Sequence, residues 1–199
     1  MALRNSFRIL ACALVGAPSV ALAHTGHAVA SGSAHGFMHP FTGFDHLVAM
    51  LLVGVFAVQL GGRAFWALPG TFLAAMATGG LLGLALPGTP VVEIGIALSI
   101  IVLGAAVALN TKTRVAVAAA AVGVFAVFHG FAHGAEMPAG ASAMSYGAGF
   151  LLGSAILIGS GLVSGLALRT ATGRGAGTMV RSAGTVAAVA GAGLLTGLV

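Results

Sequence analysis

Residues 42–61, TGFDHLVAMLLVGVFAVQLG, set Asp45 and His46 at the head of a run that is otherwise apolar. About 20 such residues cross the hydrocarbon of a bilayer as a helix, so the run reads as a transmembrane span. An ionisable group within such a span costs a few kcal/mol or more and marks function by default. Working outward, five further apolar stretches follow at about 65–86, 91–109, 115–134, 144–167 and 178–198, parted by short polar or Gly/Pro-rich punctuation. Hydrophobic residues make up 59% of the 199, charged residues 6%, and mean hydropathy is +1.11. Soluble domains carry about 25% charged residues, so a water-soluble fold is excluded. Thirty-two glycines beside one tryptophan and one tyrosine point to close helix packing rather than an aromatic-girdled barrel. The expected fold is an all-α membrane protein, a six-transmembrane-helix bundle over residues 42–199.

Ahead of the bundle, Arg4 and Arg8 precede an apolar stretch that closes on Ala21-Leu22-Ala23, the pattern of a cleaved secretory signal over residues 1–23. Cleavage there removes Cys12, the only cysteine, leaving no disulfide and no thiolate ligand. Residues 24–41 then form a periplasmic, histidine-containing N-terminal segment. With its start outside, Arg63, Lys112, Arg114, Arg169, Arg174 and Arg181 all fall inside, and the outer loops carry no lysine or arginine. That is the positive-inside rule; it predicts a multi-pass membrane protein with both mature termini outside, which is the periplasmic side where the membrane is a bacterial inner membrane. The basic residues are scattered at segment ends, so they read as topology determinants and not as a nucleic-acid surface. Gly79/Gly83, Gly149/Gly153, Gly161/Gly165 and Gly193/Gly197 form small-xxx-small faces suited to contacts within the bundle or between protomers of a homo-oligomer.

This topology collects the polar residues at one side. His39, Asp45 and His46 lie at the outer end of the first span, His129, His133 and Glu136 at the outer end of the fourth, and Glu93 at the outer start of the third. His129 and His133, four apart, share a helix face, and Glu136 follows three residues on. The carbonyl-rich end of that helix favours a cation. Asp45 and His46 are neighbours whose side chains should diverge by about 100°, so one can bind an ion while the other supports it. Imidazoles with carboxylates suit a borderline divalent metal. Candidate accessory donors are Met50, one turn after His46, the entry residue Glu93, and the segment histidines His24, His27 and His35; His24 would become the N-terminal residue, able to chelate through amine and ring. Packing, interfacial water and tail polarity are the plain alternatives for these.

His39-Pro-Phe-Thr-Gly-Phe-Asp45-His46-Leu-Val-Ala-Met50-Leu-Leu-Val-Gly54 and Phe128-His129-Gly-Phe-Ala-His133-Gly-Ala-Glu136 resemble the first- and fourth-helix signatures of the HupE/UreJ family. The resemblance covers the whole chain. It implies a secondary permease for nickel, sometimes cobalt, feeding hydrogenase or urease maturation, with the metal as substrate and no prosthetic group. It carries the site to His39, Asp45, His46, His129, His133 and Glu136. Donor chemistry alone does not choose among Ni²⁺, Co²⁺, Zn²⁺ and Cu²⁺. An interior-negative potential supplies about 2.3 kcal/mol per charge per 100 mV, about 4.6 kcal/mol for a dication, without nucleotide. The rival is an intramembrane zinc-dependent hydrolase, disfavoured by the lack of Gly-x-Ser-x-Gly and His-Glu-x-x-His motifs. A permease should show a polar route from the site towards the cytoplasm; an enzyme, a closed floor and an open coordination position.

Overall fold

A computed structural model describes residues 32–170 and 174–197. The expected signal, residues 1–23, and the donors His24 and His27 lie outside the described residues. The described chain is all helical: α1 Gly32–Thr42, α2 Phe44–Leu60, α3 Ala64–Ala85, α4 Pro90–Ala108, α5 Val115–Ala135, α6 Ala143–Thr170 and α7 Arg174–Thr196. Five helices, α3 to α7, are each long and apolar enough to cross a membrane, and α1 with α2 make a sixth candidate bent by 81° at their junction. The six expected stretches correspond to α2 through α7. One difference stands out: part of the segment expected to lead into the first span is itself helical.

The bend follows from local chemistry. Pro40 is buried inside α1, and the Thr42 hydroxyl donates to the His39 carbonyl at 2.7 Å, holding the last turn. Gly43 then takes an extended conformation (φ −89°, ψ 117°) as the N-cap of α2. At 17 residues, α2 is about 25 Å long, short of a full crossing, whereas the 28-residue α6 runs about 42 Å. Both α1 and α2 lie along α6.

Glycine makes these pairings close. A Cβ at Gly36 of α1 would collide with the Tyr146 carbonyl of α6, and one at Gly54 of α2 with the Ile158 carbonyl. Three of the four glycine pairs read from sequence are used within the chain: Gly79 and Gly83 meet the α5 backbone at Val127 and Phe131, Gly149 and Gly153 meet α1, and Gly161 and Gly165 meet α2. A pair the sequence reading passed over, Gly130 and Gly134 of α5, faces the carbonyls of Met76 and Gly80 on α3. Such backbone approach supplies the van der Waals contact on which helix association in lipid depends. The resulting partnerships α3/α5, α4/α7 and α1–α2/α6 surround α2, which touches all the other helices. Met50, Val53, Phe56, Leu68, Phe72, Met76, Ile100, Leu103 and Val122 fill the space between them, while Leu81, Val124, Leu152, Val163 and Val186 point outward and exposed. A bundle apolar inside and out is a membrane bundle.

Candidate metal centre

The α1/α2 break puts the end of one helix beside the start of the next. His39 on α1 and His46 on α2 thereby both reach α5: the His39 ring lies 4.7 Å from that of His133, and the His46 ring lies 4.2 Å from His133 and 4.7 Å from His129. Residues from the two ends of the sequence pattern meet as expected. His129 is 0% exposed, His133 2% and His46 8%. The imidazoles form a ladder descending from His39 through His133 and His46 to His129.

Hydrogen bonding fixes which nitrogen His46 and His129 offer. Asp45 Oδ1 accepts from the His46 backbone N–H at 2.8 Å and from His46 Nδ1–H at 2.7 Å, so Nε2 carries the lone pair. The expected divergence of these neighbours does not occur. Asp45 sits in the first turn of α2, where its short carboxylate turns back onto a backbone N–H that has no helical partner, and the His46 ring follows it. Gly43 is part of this arrangement, since a Cβ there would stand 2.9 Å from Asp45 Oδ1 and 3.2 Å from His46 Nδ1. At the foot of the ladder, Ser99 Oγ lies 2.6 Å from the Ile96 carbonyl and 2.8 Å from His129 Nε2. A hydroxyl has one proton. Donated to the carbonyl, it leaves Ser99 to accept from His129 Nε2–H, and His129 Nδ1 carries the lone pair. Ser99 thus holds His129 as Asp45 holds His46, the outer support that orients imidazole ligands in metal sites.

Four imidazole nitrogens are then buried with no protein partner: His46 Nε2, His129 Nδ1 and both nitrogens of His133. Leaving such groups unsatisfied costs about 1–3 kcal/mol each, and the rings that carry them are neighbours, His46 standing 4.2 Å from His133 and 4.7 Å from His129 between centroids. Above them, ligand atoms of His39, His133 and Glu136 lie within 4.8 Å of one another. Bonds of about 2.1 Å to one ion set ligand atoms about 3–4 Å apart, so small adjustments close this group on a metal. His39 Nε2–H donates to Glu136 Oε2 at 3.1 Å, and Glu136 is 56% exposed against 22% for His39. A cavity of about 210 Å³ joins His39, Asp45, His46, His133 and Glu136, and Glu93 also lines it. All three acidic side chains of the chain therefore face one opening.

Of the accessory donors, His35 stacks on His39 at 6.0 Å, between the site and the exterior. Met50 is fully buried in the apolar core. Three neighbours escaped the sequence reading. Phe150 packs 4.0 Å from His133, Tyr146 lies 6.1 Å from His39, and Ser99 supports His129. Tyr146 and Phe150 are four apart on α6 and Ser99 is a lone serine in an apolar helix, so only the fold reveals their role. Inward of the ladder, Phe72 stands 5.8 Å from His129, and Val53, Ile100, Leu103 and Val122 are buried beyond it. These side chains make a largely apolar floor, and Ser154, one turn inward of Phe150 on α6, is a buried polar group in the same core, its Oγ without a hydrogen-bond partner.

The sequence model of the family described as HupE / UreJ protein matches residues 12–194. A curated relative, "Protein HupE" of Rhizobium leguminosarum bv. viciae, is 44% identical over 181 residues, covering 90% of this chain and 92% of that protein. No solved structure matches. Two signatures that meet in space as one nest of imidazoles, and a likeness that runs along nearly the whole sequence, lead to one conclusion: the chain belongs to the HupE/UreJ family.

Proposed function

We propose that this chain is a bacterial inner-membrane permease that takes up Ni²⁺, with Co²⁺ as a second substrate, for the maturation of a hydrogenase or urease. The observation that carries the reading is the set of four unpartnered, buried imidazole nitrogens beneath a carboxylate-lined cavity, in a multi-span member of this family. The positive-inside rule supports placing that cavity on the periplasmic side, with both mature termini there. In this mechanism Glu136, Glu93 and Asp45 draw the dication in. His39, His133 and Glu136 take it as it sheds water, and His133, His46 and His129 receive it deeper in the membrane. Asp45 and Ser99 keep two of those rings in the accepting tautomer. Membrane potential supplies the drive, about 4.6 kcal/mol per dication at 100 mV.

The largely apolar floor under His129 is the feature the zinc-hydrolase reading expects, and it is the observation in that reading's favour. Family membership weighs against it, and in alternating access a site open to one side is closed to the other. The structure then corresponds to the outward-facing state. Radioactive nickel uptake into cells decides the matter. Wild type should accumulate nickel in a potential-dependent way, and His129→Ala or His46→Ala should reduce uptake at least tenfold at equal membrane abundance. Metal binding without any flux in proteoliposomes would reject the permease and favour the enzyme.

A further inference from the structure

A second cavity, of about 400 Å³, lies at the end of the bundle opposite the histidines, where α2 and α6 end and α7 begins; Lys112, Arg169 and Arg181 line it together with Gln59 and Asn110. Two of the cations are held in place by helix-terminal carbonyls. Lys112 Nζ donates to the Gln59 carbonyl at 2.7 Å, and Arg181 Nε donates to the Ala108 carbonyl at 2.9 Å. Each bond uses one N–H, leaving two on the lysine and four on the arginine. No side-chain carboxylate of this protein can neutralise them. The chain has three acidic residues, and Asp45, Glu93 and Glu136 all line the cavity at the other end. Lys112, Arg169 and Arg181 are exposed and open to an anion from outside the chain.

Two further observations define that molecule. Asn110 is exposed and lines the cavity, so its side-chain amide offers an acceptor beside the donors. Val58, Leu168 and Val180 share the wall with the cations, giving an apolar surface next to a charged one. We propose that this cavity binds a phosphate ester whose head also carries a hydroxyl or ammonium donor. The phosphate takes the fork of Arg169 and Arg181 and the Lys112 ammonium, and the donor meets the Asn110 amide. Basic hollows between transmembrane helices on the cytoplasmic side are suited to anionic headgroups, and charge-assisted bonds from arginine to phosphate are the strong ones. The apolar wall favours a lipid, such as a phosphatidylglycerol, over a soluble phosphate.

The test uses the full chain in zwitterionic detergent, with native mass spectrometry and thermal unfolding as readouts. Phosphatidylglycerol should remain bound and raise the melting temperature, and phosphatidylcholine should do neither. The Arg169→Gln/Arg181→Gln double variant should lose at least tenfold in affinity. Lys112→Gln should lose several-fold, and gives the answer by itself should the double variant fail to fold. Arg63→Gln removes a charge at the same end from a different groove, lined by Trp66 and Val115, and should bind as wild type. Protection by millimolar inorganic phosphate that competes with the lipid assigns the same site to a soluble phosphate. Equal retention of the two lipids, undiminished binding in the folded variants, or no binding of either phosphate source would overturn the proposal.

Discussion

Ser99→Ala isolates the claim that a hydroxyl on α4 sets the chemistry of an imidazole on α5. Ser99 and His129 are both 0% exposed, so water cannot replace the lost acceptor. His129 Nε2–H would be left buried and unpartnered, costing about 1–3 kcal/mol. The ring can escape that cost by shifting its proton to Nδ1, the nitrogen otherwise turned to the ion, or by rotating. Either changes which nitrogen of His129 carries the lone pair or where it points. Removing an outer support of a metal-binding histidine costs about 10–100-fold in affinity, or about 1.4–2.7 kcal/mol. The assay is calorimetric titration of nickel into purified protein, paired with the concentration dependence of uptake. Both midpoints should rise by that factor in Ser99→Ala at wild-type membrane abundance. Ser99→Thr keeps the hydroxyl and should restore affinity, although its extra methyl strains the packing. Nickel affinity in Ser99→Ala within twofold of wild type would refute the tautomer argument.

Three other outcomes follow from the same geometry. His39→Ala should raise the half-saturating nickel concentration while leaving maximal uptake nearly intact, whereas His129→Ala should abolish maximal uptake; matching defects in initial-rate measurements would merge the proposed outer and inner positions. Gly130→Ala drives a methyl into the Met76 carbonyl, an overpacking cost of about 1–3 kcal/mol or more, so membrane abundance and melting temperature should fall together, and normal levels would contradict the α3/α5 contact. Titration should give a single nickel per chain, and chelation of the metal should leave the helical circular dichroism unchanged, because on the proposed reading the ion is cargo and not a structural brace; two ions bound per chain, or unfolding on chelation, would contradict those expectations.

Much of this was legible along the sequence because lipid imposes a blunt rule. A span needs about 20 apolar residues whatever its neighbours, so α3 to α7 emerge from hydropathy alone. The polar clusters were equally visible, since Asp45, His129 and His133 contrast with everything around them. Hidden were the features that depend on where two helices touch. Ser99 is one polar atom in a hydrophobic helix until α5 lies against it. The 81° break needed the Thr42 side-chain bond and the α6 surface, neither apparent from the apolar count, and so α1 passed for a lead-in. Glycine pairs were read as candidate faces, but the pair that matters most beside the site, Gly130 and Gly134, lay concealed inside a motif already assigned to metal.

On the proposed reading, that motif serves packing and binding together. Along α5, Gly130 and Gly134 turn to α3, while His129 and His133, one position earlier in each case, turn to α2 and α1. The glycines fix the depth and rotation of α5, and the rotation aims the rings. His133 stands at the centre, within reach of the His39 group above and the His46 and His129 group below, with both ring nitrogens free of protein partners. On the proposed transport reading, the His39, His133 and Glu136 group and the deeper His46 and His129 rings serve one ion in succession, joined by His133. An ion that exchanges some ligands while keeping another need never be bare in the membrane, and that is the condition under which a tight-binding donor set can also release its cargo.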